Sequence, residues 1–245
     1  MNTSLEQLIE ASKTLTLEVN KLKFSGKVNH VYNPLNYAVT PHTDYLDKYA
    51  SGKKKVLFLG MNPGPWGMAQ TGIPFGEISY SKNWLKIKGD ILQPGITHPK
   101  RPISGWDCPR SEVSGRRLWG LMKERYKTAE IFFKDHYVEN YCPLVFMEES
   151  GKNLTPDKLP AKERETLTKI CDEHLIKVIK IMDPEFLIGI GKYAEKNLKR
   201  VADSMDDSQN YKISSILHPS PANPHANRGW AEAVTKQLTE QGVWS

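Results

Sequence analysis

Two residues of this chain stand where a side chain can act on a bound molecule, Asn62 and His218. Each follows an apolar, strand-like run and sits in a turn rich in proline or glycine. The first run, Val56-Leu57-Phe58-Leu59-Gly60-Met61, turns through Asn62-Pro63-Gly64-Pro65-Trp66-Gly67. The second, Ile216-Leu217, turns through His218-Pro219-Ser220-Pro221-Ala222-Asn223-Pro224. In open parallel α/β sheets, ligands bind beyond the carboxyl ends of the strands, in the crevice where such turns meet. If both runs are strands of one sheet, the two side chains face one pocket from distant parts of the sequence. A neutral imidazole there donates one hydrogen bond to an oxygen that gains negative charge. A protonated one adds Coulombic stabilisation where water is scarce.

Several other chemistries are excluded. The glycines between 60 and 67 lack both the Gly-Lys-Ser/Thr ending of a phosphate loop and the G-x-G-x-x-G spacing of a dinucleotide fold. No G-x-S-x-G elbow is present. Cys108, Cys142 and Cys171 are too few for an iron–sulfur cluster, and no histidine sits at zinc-finger spacing from them, so no metal is expected. His174 lies on the apolar face of a helical pattern and reads as a core histidine.

The elements that must position Asn62 and His218 follow from periodicity. Residues 4–23 carry an apolar stripe at helical spacing (Leu5, Leu8, Ile9, Leu15, Val19, Leu22). Residues 24–55 are mixed, and Pro34 and Pro41 argue there for extended or loop structure. Residues 56–61 suit a strand buried on both faces. Residues 62–113 hold seven prolines and seven glycines, an irregular stretch long enough to imply function. Ser114 can cap a helix reaching about residue 127, and a second strand over 138–143 runs into 144–147. A long amphipathic helix over 160–182 precedes a strand at 185–190, a helix to about 202, a strand at 211–217 and a closing helix over 227–241. Strands alternating with helices predict an α/β fold, a three-layer α/β/α sandwich on a central four-stranded, mainly parallel sheet, as one domain over 1–245.

The composition is that of a soluble globular chain, 39% hydrophobic and 25% charged. No apolar run approaches the ~20 residues of a membrane span, and residues 1–6 do not open a secretory signal, so an intracellular protein without a membrane partner is expected. The net charge is +6, and a surplus of five positive charges lies between residues 81 and 117, including Lys100 and Arg101. Trp84 and Trp106 are interleaved with those charges, a pattern suited to phosphates and unstacked bases. From charge alone, a solvated basic loop is an equal reading.

Three blocks resemble the uracil-DNA glycosylase superfamily, and within it the single-strand-selective monofunctional enzymes. They are Gly60-Met61-Asn62-Pro63-Gly64-Pro65-Trp66-Gly67-Met68-Ala69-Gln70-Thr71-Gly72 continuing through Pro74-Phe75-Gly76-Glu77, then Asn140-Tyr141-Cys142-Pro143-Leu144, then His218-Pro219-Ser220-Pro221 with Asn223-Pro224 and Ala226-Asn227-Arg228-Gly229-Trp230. The resemblance extends from about residue 30 to the C-terminus. It implies a monomeric base-excision enzyme that uses neither metal nor organic cofactor. Its substrate would be uracil, and oxidised C5 derivatives such as 5-hydroxymethyluracil, in single- and double-stranded DNA.

The same resemblance implies roles. Asn62 would hold the attacking water and His218 would bond the uracil O2. Phe75 would stack on the flipped base and Asn140 would read its O4/N3 edge, with the Gly64 backbone and Met68 lining the C5 side of the pocket and Met61 also binding substrate. Pro219, Ser220, Pro221, Ala222, Asn223, His225 and Arg228 would enter the DNA, with Lys100 and Arg101 on its phosphates. Ala222 stands where better-known relatives carry a larger basic residue, and His225 and Arg228 are placed to compensate. Lys55, the nearest lysine before Asn62, lies roughly 23 Å up the strand at ~3.3 Å per residue, at the wrong end of the sheet for amine chemistry, so hydrolysis without strand cleavage is expected. Two other readings remain open: a glycosylase of the same fold for deaminated purines, and a non-catalytic single-stranded nucleic-acid binding module.

Overall fold

The computed structural model describes residues 3–205 and 211–245. In chain order the elements are α1 (Ser4–Asn20), β1 (His30–Tyr32), α2 (Pro34–Tyr37), α3 (Val39–Tyr49), β2 (Val56–Gly60), α4 (Met68–Thr71), α5 (Ile78–Asn83), α6 (Val113–Tyr126), α7 (Ala129–Asp135) and β3 (His136–Asn140). There follow β4 (Val145–Met147), β5 (Asn153–Leu154), α8 (Ala161–Met182), β6 (Phe186–Ile190), α9 (Lys192–Asp203), β7 (Lys212–Ile216) and α10 (Trp230–Glu240). Among the described residues no helix is long and apolar enough to cross a membrane.

Four strands form a parallel sheet in the order β3-β2-β6-β7. Every residue of β2, β3 and β6 is buried, as expected for strands covered on both faces. On one side α9 packs on β6 and β7, with α8 against α9 and α1 against α8; on the other, α6, α7 and α10 cluster against β3 and β7. This is the three-layer α/β/α sandwich expected from the sequence. The N-terminal helix starts where a capping box allows it: Thr3 N–H donates to Glu6 Oε2 (2.7 Å) and Glu6 N–H to Thr3 Oγ1 (3.2 Å).

Three expectations need correction. Residues 34–49 are largely helical, not extended: Pro34 opens α2, and Pro41 falls in the first turn of α3, where a missing N–H costs no intrahelical bond. The expected strand through 147 is two strands in different sheets. β3 ends at Asn140, the chain bends at Cys142-Pro143, and β4 pairs antiparallel with β1 and β5 in a separate three-stranded sheet that the sequence reading did not foresee. Ser114 does not cap α6, because Glu112 holds the N-cap position and Ser114 is buried in the first turn.

Candidate active site

The carboxyl ends of β2, β3 and β7 open onto one cleft of about 280 Å³. The turn after β2 contributes Met61, Asn62, Pro63, Gly64 and Pro65, β3 contributes Asn140, and the turn after β7 contributes His218, Ser220 and Pro221. Phe75 lines it as well. Asn62 and His218 therefore share the pocket that strand-end geometry predicted.

Each polar side chain has its orientation set by the backbone around it. Asn62 Nδ2 donates to the Leu144 carbonyl (3.1 Å), which leaves Oδ1 as the acceptor for a water. His218 Nδ1 accepts from the Ser220 N–H (3.1 Å), so in the neutral ring the proton sits on Nε2, ready to donate. Burial lowers the His218 pKa, which favours that neutral ring. On buried Asn140, Nδ2 donates to Met68 Sδ (3.1 Å), while Oδ1 is buried without a partner. Met68 thus holds the Asn140 amide and is not among the residues that line the cleft.

Two backbone features make room for this arrangement. Gly60 pairs with Asn140 across β2 and β3, and a Cβ at Gly60 would lie 2.2 Å from Asn140 Oδ1 and 2.6 Å from Phe75 Cε2. Phe75 itself has φ +53°, a left-handed conformation that bulky residues rarely adopt. Its carbonyl is anchored by Trp119 Nε1 (2.9 Å) and by the Glu77 N–H (2.7 Å).

The loop after His218 is braced from within. Arg117 of α6 donates to the Pro219 carbonyl (2.9 Å) and to Asn227 Oδ1 (2.8 Å), and Asn227 Nδ2 donates to the Pro221 carbonyl (2.9 Å). Asn223 Oδ1 accepts from the His225 N–H (3.1 Å). Pro219 is buried; Ser220 and Asn223 are half-buried; Pro221, Ala222, His225 and Arg228 are exposed.

The basic stretch is less uniform than its charge count implied. Lys100 is exposed, but the Arg101 and Arg110 guanidiniums lie over the Trp66 ring (5.1 and 4.5 Å to its centroid). The aromatic part of the sequence reading is overturned. Trp84 is buried with its Nε1 on the Lys127 carbonyl (3.0 Å), and Trp106 is bonded to the Gly89 carbonyl (2.8 Å) and packs on the core. Trp84 belongs to the interior and Trp106 is half-buried against it, each with its N–H on a backbone carbonyl.

Sequence reasoning missed Glu112, Ser114, Asn153 and Thr155, which also line the cleft. Glu112 reads in sequence as one anion within a basic run, and no local spacing connects it to Gly64. Asn153 belongs to the second sheet, whose strands are too short to show periodicity, and Thr155 directly follows its last strand. Among the described residues no lysine lines the cleft, and Lys55 lies at the opposite end of β2, its Nζ 5.7 Å from the Phe186 ring centroid.

Comparison with known proteins identifies the family and the fold. The profile described as "Uracil DNA glycosylase superfamily" matches residues 46–239. The single-strand selective monofunctional uracil-DNA glycosylase of Rattus norvegicus is 44% identical over 97% of this chain and 85% of its own length. The Mus musculus and Bos taurus proteins of the same name are each 43% identical, over 97% of this chain and 85% and 87% of theirs. The crystal structure of wild-type SMUG2 from Pedobacter heparinus superposes with a TM-score of 0.66 at 20% identity, covering 99% of this chain and 98% of that one, a likeness of fold.

Proposed function

The chain belongs to the uracil DNA glycosylase superfamily, and within it to the single-strand selective monofunctional uracil-DNA glycosylases; from that premise we propose that its cleft hydrolyses the N-glycosidic bond of uracil in DNA and leaves an abasic site. The observation that carries this reading is Asn140. Uracil presents a donor at N3 and an acceptor at O4. The buried, unpartnered Oδ1 of Asn140 matches N3–H, and the second N–H of its Nδ2 matches O4. Cytosine, with an acceptor at N3 and a donor at N4, mismatches at both atoms.

The chemistry follows from the remaining side chains. The glycosidic bond breaks with dissociative character, since the sugar cation is resonance-stabilised and the uracil anion is a tolerable leaving group. His218 Nε2–H donates to O2 as charge builds there, a preorganised donor in a site sheltered from water. Asn62 Oδ1 holds the water that then meets the sugar cation. An amide suffices for this, because so reactive an electrophile needs water placed rather than strongly activated. Phe75 offers its ring to the flipped base and offsets part of the few kcal/mol of unstacking.

The proposed substrates include uracil with small oxidised C5 substituents, in single- and double-stranded DNA. The loop Pro219–Ser220–Pro221–Ala222–Asn223 with His225 and Arg228 would enter the space left by the base, and Lys100 with Arg101 would meet phosphates. The test is incubation with an oligonucleotide carrying one uracil, followed by alkali. Cleavage at the uracil only after alkali is expected. An intact strand would overturn the activity, and binding indifferent to uracil would favour a general single-strand binder.

A further inference from the structure

Three of the described residues that line the cleft carry a side-chain oxygen that is buried without a hydrogen-bond partner: Asn140 Oδ1, Glu112 Oε2 and Asn153 Oδ1. Asn140 has the base to meet. Glu112 lies on the turn after β2, where a Cβ at Gly64 would sit 2.2 Å from its Oε1 and one at Gly67 1.4 Å from its Oε2. Asn153 comes from elsewhere. It stands on β5, the edge strand of the second sheet, with Asn153 opposite Met147 and Leu154 opposite Phe146 of β4. β4 starts at Val145, directly after Leu144, whose carbonyl holds the Asn62 amide (3.1 Å). The second sheet thus brings two things to one wall of the cleft, the carbonyl that orients Asn62 and the Asn153 amide.

A buried acceptor calls for a donor, and the substrate offers few. The sugar and phosphates of an internal DNA nucleotide carry no O–H or N–H group. The only donor on a uracil attached through N1 is N3–H, which Asn140 takes. Water is what remains. We propose that Asn153 is a further catalytic residue, whose Oδ1 accepts a hydrogen bond from one O–H of the attacking water while Asn62 Oδ1 accepts from the other. The inference rests on the uracil-excision reading and deepens it. A single acceptor leaves a water free to turn about that bond, and a bound water ordinarily has about three partners. Two acceptors fix both hydrogens and so aim the lone pairs, which is what placing a nucleophile requires. In the step itself the C1′–N1 bond breaks with its electron pair on the base, and the water oxygen bonds to C1′. The proton that oxygen sheds ends on the base, which departs as neutral uracil. Neither amide takes the proton; both only aim the water.

The experiment pairs single-turnover excision from a uracil oligonucleotide with affinity for the same oligonucleotide carrying non-cleavable 2′-fluoro-2′-deoxyuridine. N153L, close to Asn in shape but without polar atoms, is expected to slow excision about tenfold, the worth of one hydrogen bond to the reacting water. Its affinity for the non-cleavable strand is expected to match the parent's. N153D keeps an acceptor in place and is expected to recover most of the lost rate. Should N153L fail to fold, N153A carries the same expectation. An unchanged rate in the apolar variant overturns the assignment. So does an equal loss in N153D, the mark of a residue that only shapes the wall. A loss of affinity that is largest in N153D overturns it as well, because a carboxylate repels phosphate and that pattern would put Nδ2 on the DNA backbone. If the parent enzyme releases no uracil, it is the uracil-excision reading itself that fails.

Discussion

The imidazole of His218 accepts a hydrogen bond at Nδ1 from the backbone N–H of Ser220, 3.1 Å away. That contact fixes the proton on Nε2 of the neutral ring, so the donor exists before any substrate arrives. His218→Ala removes it and is expected to lower single-turnover uracil excision by roughly 10²–10³, the usual cost of losing a preorganised donor. Far-UV circular dichroism should stay unchanged. A His218→Ala enzyme excising at the parent rate would remove the residue from the mechanism.

Asn62 is held by the Leu144 carbonyl through Nδ2, with Oδ1 left to accept. Asn62→Ala is expected to lose most activity. Asn62→Asp should retain an appreciable part, since a carboxylate accepts from the same water, although the bond to Leu144 is lost. Rates measured with excess enzyme decide the point, and equal rates for Asn62→Ala and the parent would refute the water-holding role.

Gly60 is a steric requirement of the pocket. Gly60→Ala places a methyl against Asn140 Oδ1 and the Phe75 ring, so either the Asn140 amide or the Phe75 ring must move. A displacement on the order of 1 Å can cost about 10²-fold in rate, and a loss of that size is expected. A crystal structure of the variant with Asn140 and Phe75 unmoved, together with parent activity, would contradict this.

The cations divide into two groups with different signatures. Each phosphate contact contributes about −0.9 to the slope of log affinity against log salt. Replacing Lys100 and Arg101 together by Ala is expected to flatten that slope by up to about 2. Arg117 spends its guanidinium on Pro219 and Asn227, so Arg117→Ala should leave the slope alone while slowing excision through a loosened loop. Fluorescence anisotropy titrations across a salt series separate the two cases.

Acid stability offers a test remote from catalysis. His42 and His174 are buried and held near 4, against 6.5 in the unfolded chain. Between those values the unfolded chain binds more protons, and the fold loses stability as pH falls. Glu139 is raised by burial to about 7 and acts in the opposite sense, gaining stability as pH falls from 7 towards 4.5. Glu139→Gln keeps an acceptor for the Asn140 N–H and removes that compensation. Its stability should drop more steeply than the parent's between pH 7 and pH 5, by roughly 2 kcal/mol. Urea midpoints at the two pH values measure it, and parallel slopes for variant and parent would count against a raised Glu139 pKa.

What could be read from the sequence was what is written locally. The runs ending at Gly60 and Ile216 are apolar and bounded by proline-rich turns, so their strands and the side chains just beyond them were visible. α8 was visible for the same reason, its stripe of Leu167, Cys171, Leu175, Val178 and Met182 being long and regular. Glu112 was invisible because it reaches the cleft only when α6 docks under Phe75, a contact that no spacing encodes. Pro41 misled because its effect depends on position within a helix. Trp84 and Trp106 misled because charge on the neighbouring residues says nothing about which way an indole points.

The bond that orients Asn62 joins residues 82 positions apart, and the one that braces Pro219 joins residues 102 apart. Contacts of such range close late in folding, after local helices have formed. A chain emerging from the ribosome thus carries its basic residues long before it owns a cleft. It can cling to a polyanion early, yet it releases no base until the last strand has docked. Excision activity is for this reason a direct count of completely folded molecules, whereas nucleic-acid binding is not.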